Sequence, residues 1–210
     1  MFYNILDKKR LDILPLFRKF KDSFYLAGGT SLTLQIGHRD SIDFDFFSEE
    51  DIHTTELFEQ LRDIFKGHDL LKIQEEINTL TVLIENSVKV SFFTYKYKLI
   101  DKTISDENLT LASIGDVACM KLSAITVRAS NKDYIDLYFI LKFFSLSDLL
   151  DKSYRKHSQL DINLILKSLI YFEDVTQEKI IFKNNNNIDF EEVKKRLRSA
   201  VKEYSNINEK

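Results

Sequence analysis

Apolar residues recur along the chain in two different rhythms. Between residues 4 and 20, Ile5, Leu6, Ile13, Leu14, Leu16, Phe17 and Phe20 are spaced to predict an amphipathic helix, broken or started near Pro15. Residues 24–27 form a short apolar run ending at Gly28-Gly29, the pattern of a buried strand entering a turn. A short helix is expected over residues 31–36, with Thr30 or Ser31 as its N-cap, and then a polar loop over 37–41. Residues 42–47 alternate as a strand does. That sends Asp43 and Asp45 to one face and Ile42, Phe44 and Phe46 into the core. Residues 55–65 carry a helical apolar stripe. Residues 80–84 and 88–95 form two β-rich runs joined by Glu85-Asn86-Ser87, a hairpin signal.

From about Leu111 the rhythm becomes helical, over residues 116–127, 134–144, 161–172 and 190–204. The change falls within the polar stretch 101–109. The pattern predicts an α+β fold: a mixed, twisted sheet with helices packed on it, over residues 1–108, then a helical C-terminal region, 109–210, that closes one side of a cleft. The asparagine run 184–187 reads as a low-complexity loop without a function of its own.

Composition narrows this picture. Of 210 residues, 44% are hydrophobic and 30% charged, the profile of a globular chain and not of a disordered one. The formal net charge of -3 means that any polyanion site must be a local patch. Cys119 is the single cysteine, which excludes an internal disulfide and cysteine-rich metal sites. No basic start followed by an apolar run opens the chain, and no apolar stretch approaches the ~20 residues that span a bilayer. The expectation is a cytoplasmic protein with no membrane partner.

Two clusters carry candidate chemistry. Adjacent glycines between a strand and a helix let backbone N–H groups approach an anion, and the hydroxyls of Thr30 and Ser31 could add to them. A Gly-Gly turn also occurs for structural reasons alone. Asp43 and Asp45 change the balance, because two ionised carboxylates on one face repel each other unless a cation lies between them. Two carboxylates converging on Mg²⁺ together with substrate phosphates suit phosphoryl or nucleotidyl transfer. The plainer alternative is an edge strand with a wet face. Further on, Lys121, Ile125 and Arg128 fall at i, i+4 and i+7 of a helix, and Asp133 and Asp136 share a face of the next. The two cations could meet a triphosphate, or Arg128 and Asp133 could simply pair with each other.

These residues carry a resemblance. Gly28-Gly29-Thr30-Ser31 followed by Arg39-Asp40-Ser41-Ile42-Asp43-Phe44-Asp45-Phe46 resembles the Gly-Gly/Ser and Asp-x-Asp signature of the polymerase β-type nucleotidyltransferase superfamily. More narrowly it is similar to the AbiEii/AbiGii toxin family of type IV toxin–antitoxin and phage-abortive systems. Lys121, Ala124, Ile125 and Arg128, then Lys132-Asp133-Tyr134-Ile135-Asp136-Leu137, resemble that family's later motif. The resemblance runs in order from about Tyr25 to Leu141, with these two motifs as its specific parts. It implies a nucleotidyltransferase that uses Mg²⁺ or Mn²⁺ and an NTP, with an RNA acceptor such as a tRNA end and a cognate antitoxin as partners. It implies that Asp43 and Asp45 bind metal, and that Gly28, Gly29, Thr30, Ser31, Arg39, Ser41 and Arg128 bind nucleotide. Lys121 would neutralise phosphate charge, while Asp133 or Asp136 would order that cluster or help activate the acceptor hydroxyl.

The superfamily generally places a third carboxylate on a later strand, and the matching position here is Ser91. A degenerate, non-catalytic binding protein is therefore one alternative. A transferase acting on an aminoglycoside-like small molecule is another, and it predicts an acidic acceptor pocket. Other residues carry less. His38 reads as a solvated loop residue, or as one touching phosphate, while His53, His68 and His157 lack metal-ligand spacing. Cys119 reads as buried packing. Phe92, Phe93, Tyr95 and Tyr97 could stack a base, although alternation makes half of them core. Lys194, Lys195, Arg196 and Arg198 read as a charged solvent face sooner than an RNA contact.

Overall fold

The computed structural model describes residues 1–208. After a helical entry, with α1 at Lys8–Ile13 and a 3-10 segment at Leu14–Phe20, strand β1 (Tyr25–Ala27) runs directly into α2 (Gly28–Ile36). Strand β2 (Phe44–Ser48), α3 (Thr54–Ile64), β3 (Leu70–Glu76), β4 (Thr79–Ile84) and β5 (Val88–Thr94) follow. Two short strands, β6 (Ile104–Ser105) and β7 (Thr110–Leu111), lead to α4 (Ile114–Ala124), α5 (Asn131–Ile140), α6 (Leu146–Lys156), α7 (Ile162–Ile170) and α8 (Phe190–Asn208).

The seven strands form one sheet in the order β3-β4-β5-β2-β1-β7-β6. It is mixed: β2 pairs parallel with β5 and β1 parallel with β7, while the remaining pairs are antiparallel. The expected α+β fold is what forms, and β7 belongs to the same sheet although it lies past the change of rhythm. Strand alternation divides the core. Leu26, Phe44, Phe46, Val82 and Phe92 pack on one face against Phe17, Phe20, Leu57 and Leu61. Phe17 lies 4.8 and 5.1 Å from the rings of Phe44 and Phe46, within the range of favourable aromatic contact. Tyr25 and Ala27 turn the other way, onto α4, α5, α6 and α8. Beyond them the second face, from β2 to β3, is left to the site.

The hairpin forms as read, with Glu85 and Asn86 both at positive φ, as a tight two-strand turn requires. Three local expectations are corrected. Helix α2 begins at Gly28, so neither Thr30 nor Ser31 caps it; both lie inside its first turn and are buried. Strand β2 begins only at Phe44, and Ile42 is 53% exposed instead of core. The reason is that residues 41–43 are drawn off the sheet: Arg10 Nε donates to the Ile42 carbonyl, and the Thr30 hydroxyl donates to the Asp43 carbonyl. Helix α4 ends at Ala124, so Arg128 lies in the following turn and not on one helical face with Lys121. Strand β3 and helix α6 arise where no periodic reading had been made. Helix α6 is secured by a capping box in which Ser145 and Asp148 satisfy each other's backbone N–H groups.

Candidate active site

The strand-to-helix step at Ala27–Gly28 places a helix N-terminus at the C-terminal end of β1. Gly28 holds φ +67°, a left-handed conformation that a side chain resists, and a Cβ there would stand 3.4 Å from Asp45 Oδ2. A Cβ on Gly29 would stand 2.8 Å from Arg39 Nη2. Gly28 is therefore required by its backbone conformation and Gly29 by the close approach of Arg39. Their backbone faces a cavity of about 800 Å³, lined also by Thr30, Ser41, Asp43 and Asp45.

Asp43 and Asp45 do come together at this cavity, although Asp43 precedes the strand. Burial raises the Asp45 carboxyl above its ordinary range and the neighbouring Asp43 charge adds to the effect; Lys89, Lys121 and Arg128 oppose it without cancelling it. Lys89 Nζ stands 3.8 Å from Asp43 Oδ2, an exposed pair that offsets little of the repulsion. Two oxygen-bearing acids, one of them half-buried and disfavoured as an anion, fit a hard divalent cation that would supply the missing charge. Among the described residues no group of three or more His, Cys, Asp and Glu converges as a ligand set. The reason is visible in the register: Asp45 pairs with Ser91 on β5, which is itself paired with Thr81 on β4. The residue beside Asp45 on β5 is thus a serine and not an acid.

The opposite wall comes from α4, α5 and the turn between them. Lys121 Nζ bonds Asp133 Oδ1 at 2.6 Å and Asp136 Oδ2 at 2.7 Å, and Arg128 Nε reaches Asp133 Oδ2 at 3.2 Å. Lys121, Arg128 and Asp133 line the cavity; Asp136 does not. Asp136 is fully buried and saturated by Arg39, Lys121 and His38 Nε2. Burial alone would raise its pKa, yet Arg39 and Lys121 hold it well below the usual carboxylate range. Asp136 thus lies outside the cavity lining and orders the cluster of Arg39, Lys121 and His38, the first of the two roles expected for it.

Three further expectations change. Arg39, read as a nucleotide ligand, commits its Nε and Nη2 to Asp136 and its Nη1 to the Asp40 carbonyl. Ser31 points away from the cavity; its hydroxyl lies 3.5 Å from the Ala112 carbonyl and accepts from Gln35. His38 is fully buried against Phe139 instead of solvated, and that burial lowers its pKa. Thr30 and Ser41 remain at the cavity, bonded to each other at 2.7 Å.

Sequence reasoning missed a strap. Residues 175–183 cross the mouth of the cavity, where Thr176, Glu178, Lys179 and Ile181 line it. The strap is tied at Thr176 to Ala129 and Asn131, at Ile181 to Asp40 and at Lys183 to His38, all through the backbone. Asn184, at the head of the asparagine run, donates to the Gly37 carbonyl at 2.7 Å, so that loop fastens the strap. Apolar Ile180, Ile181 and Phe182 amid polar residues were the available signal. Of the remaining candidates, Phe93 faces the cavity, whereas Cys119 is buried, Phe92 is core and Lys194 pairs with Glu191. No described helix is long and apolar enough to cross a membrane.

The family model described as "Nucleotidyl transferase AbiEii toxin, Type IV TA system" matches residues 16–206. An uncharacterized protein of Aquifex aeolicus strain VF5 is 36% identical over 187 residues, covering 87% of this chain and 88% of that protein. JHP933 from Helicobacter pylori superposes with a TM-score of 0.60 at 17% identity, over 94% of this chain and 92% of its own. MenT4, a nucleotidyltransferase toxin from Mycobacterium tuberculosis H37Rv, superposes with a TM-score of 0.61 at 14% identity, over 92% and 80% respectively. At these identities the structural likeness shows a shared fold, that of the polymerase β-type nucleotidyltransferases.

Proposed function

The chain belongs to the AbiEii family of nucleotidyl transferase toxins of type IV toxin–antitoxin systems, and from that premise we propose that it transfers NMP from an NTP to an RNA hydroxyl, such as a tRNA end. The observation that carries this reading is the pair of carboxylates, Asp43 and Asp45, facing the Gly28–Gly29 turn across one cavity. Asp43 and Asp45 would hold Mg²⁺ or Mn²⁺. When bound, such an ion neutralises charge on the phosphates and on the attacking and leaving oxygens. In this reading the N–H groups of the Gly28–Gly29 turn receive the triphosphate at the positive end of α2, and Thr30 and Ser41 fix that turn. Lys121 and Arg128 face the phosphates from the helical wall, held there by Asp133. Arg39 and Asp136 position Lys121 without touching substrate.

The acceptor oxygen bonds to the α-phosphorus and the bond to the bridging oxygen breaks, so pyrophosphate leaves. The hydroxyl proton passes to water, because the strand position beside Asp45 is Ser91 and not a carboxylate. Residues 1–108 act as the transferase core and 109–210 as the region that completes the cleft. A cognate antitoxin is the partner that the family description supports.

The test is incubation of the purified chain with each α-³²P NTP, Mg²⁺ and total bacterial RNA, beside Asp43→Ala/Asp45→Ala. Label in a discrete RNA band that the double variant lacks is the expected result. Label in an added aminoglycoside instead would replace the acceptor, and no label anywhere would leave a binding protein on this fold.

A further inference from the structure

The second face of the sheet does not end at the carboxylates. Asp45 on β2 is paired with Ser91 on β5, Ser91 with Thr81 on β4, and Thr81 with Gln74 on β3, so one row of side chains runs from the acid to the sheet edge. Thr81 Oγ1 donates to Ser91 Oγ at 3.3 Å, and the Gln74 amide is held between Thr81 and Glu76. Lys89 and Phe93 flank Ser91 two residues away on the same face of β5. All five residues of this patch line the cavity that contains Asp45 and Gly28.

Nucleotidyl transfer requires the attacking and leaving oxygens to lie roughly in line through the α-phosphorus. Asp45 sits between two neighbours in the sheet: Ala27, which leads into the Gly28–Gly29 turn, and Ser91. With the triphosphate on the turn, pyrophosphate departs on the Ala27 side, so the hydroxyl must arrive from the Ser91 side. We propose that the acceptor's 3′ end lies on this strand face, with a phosphate on Lys89, a base against Phe93 and uncharged hydrogen bonding from Gln74 over the Ser91–Thr81 floor, and that these residues set acceptor choice.

Three strand spacings of ~4.8 Å carry the row about 14 Å from Asp45, the length of several stacked nucleotides at ~3.4 Å each. Lys89 carries the only charge among the cavity-lining residues of β3, β4 and β5, and it is half-exposed. A cation beside an aromatic ring and neutral hydrogen-bonding groups suits a single-stranded nucleic acid. It repels a polycationic amino sugar.

The inference rests on the transfer reading above, and two measurements separate them. With the full chain and total tRNA as acceptor, Lys89→Ala, Gln74→Ala and Phe93→Ala should each raise the acceptor KM about tenfold, with the NTP KM unchanged in Gln74→Ala and Phe93→Ala. Unchanged acceptor KM in all three would overturn the platform while transfer stands. The second measurement is anisotropy of a short fluorescein-labelled single-stranded RNA with a free 3′ hydroxyl, titrated with salt. Lys89→Ala should flatten the log Kd against log salt slope by about 0.7, the loss of one phosphate contact on a single strand, a change that a merely structural residue does not produce. If the wild type labels no RNA, this slope still decides: a flattened slope keeps the platform as an RNA-binding face, and an unchanged slope or no binding removes it.

Discussion

Arg39 and Asp136, 97 residues apart, meet in a buried bidentate pair, with Nε–Oδ1 and Nη2–Oδ2 both at 2.7 Å. The pair joins the loop that delivers the carboxylates to the helix that anchors Lys121. It also lies directly beneath Gly29. A guanidinium held in that fork braces the two elements at the cavity wall.

Arg39→Ala should therefore read as a stability change first. Removing one partner of a buried pair typically costs about 3–5 kcal/mol, because the remaining charge is left without its partner. The expected outcome is a large fall in Tm together with loss of turnover. Arg39→Lys, which keeps the charge but not the fork, should recover only part of the Tm. A raised NTP KM at unchanged Tm would instead make Arg39 a direct nucleotide contact.

The Asp45 carboxylate predicts the reverse trade. Its pKa is raised by burial and by Asp43, so the fold prefers its protonated form. Without a divalent ion, the stability that this preference contributes is present at low pH and is lost as pH rises through the carboxyl's raised folded pKa. Asp45→Asn should thus raise Tm near neutral pH while lowering turnover about 10³-fold or more, the loss of several kcal/mol of charge stabilisation. Mg²⁺ or Mn²⁺ should raise the Tm of the wild type and leave Asp45→Asn unmoved. Equal metal-dependent shifts in both proteins would place the ion elsewhere.

Ser91→Asp tests the missing third acid. The side chain would stand beside Asp45 in register, where a carboxylate adds ligand charge to a bound ion and repulsion without one. The expected variant has a lower Tm in chelator, and it reaches half-maximal activity at a lower Mg²⁺ concentration than the wild type. A titration of activity against metal checks it; an unchanged midpoint would separate Ser91 from the ion site.

What was legible in the sequence was what short-range pattern encodes. Asp43 and Asp45 announced themselves through alternation, and Gly28-Gly29 through their rarity in a chain with five glycines. Alternation puts Ser91 on one strand face with Lys89 and Phe93, but its place beside Asp45 comes from the parallel pairing of β2 with β5. The errors came from pairings distant in sequence. Nothing local to Arg39 or His38 reveals that Asp136 will claim both, so a buried brace read as a phosphate ligand and a solvated histidine. The strap was missed for the same reason: beyond the short apolar run at Ile180–Phe182, its course comes from backbone bonds to residues 38, 40, 129 and 131, not from a period of its own. Ile42 was misplaced because Arg10 and Thr30 pull its neighbourhood off the strand.

A second buried pair, away from the cavity, controls how α4 is seated and hence where Lys121 stands. The Asp116 carboxylate accepts from the hydroxyl of Ser113, the N-cap of α4, and from the backbone N–H groups of Ile100 and Asp101, and bonds Lys156 Nζ at 2.8 Å, with both side chains fully buried. Burial works against the Asp116 anion, yet Lys156 and those N–H groups hold its pKa below the ordinary value. A depressed folded pKa contributes stability that is full above the unfolded value of ~3.9 and is lost as pH falls through the folded value. The wild type should therefore lose Tm as pH falls through and below about 4. Asp116→Ala should lose about 3–5 kcal/mol at neutral pH, because Lys156 is left buried beside only the Lys98 carbonyl, and should show a shallower acid slope. Asp116→Leu/Lys156→Met removes both charges and should recover much of that loss in Tm. Turnover in the double variant should stay low, since the backbone ties from Asp116 to residues 100 and 101 are gone and α4 no longer seats Lys121. Full recovery of both Tm and turnover would show that the pair serves the fold alone.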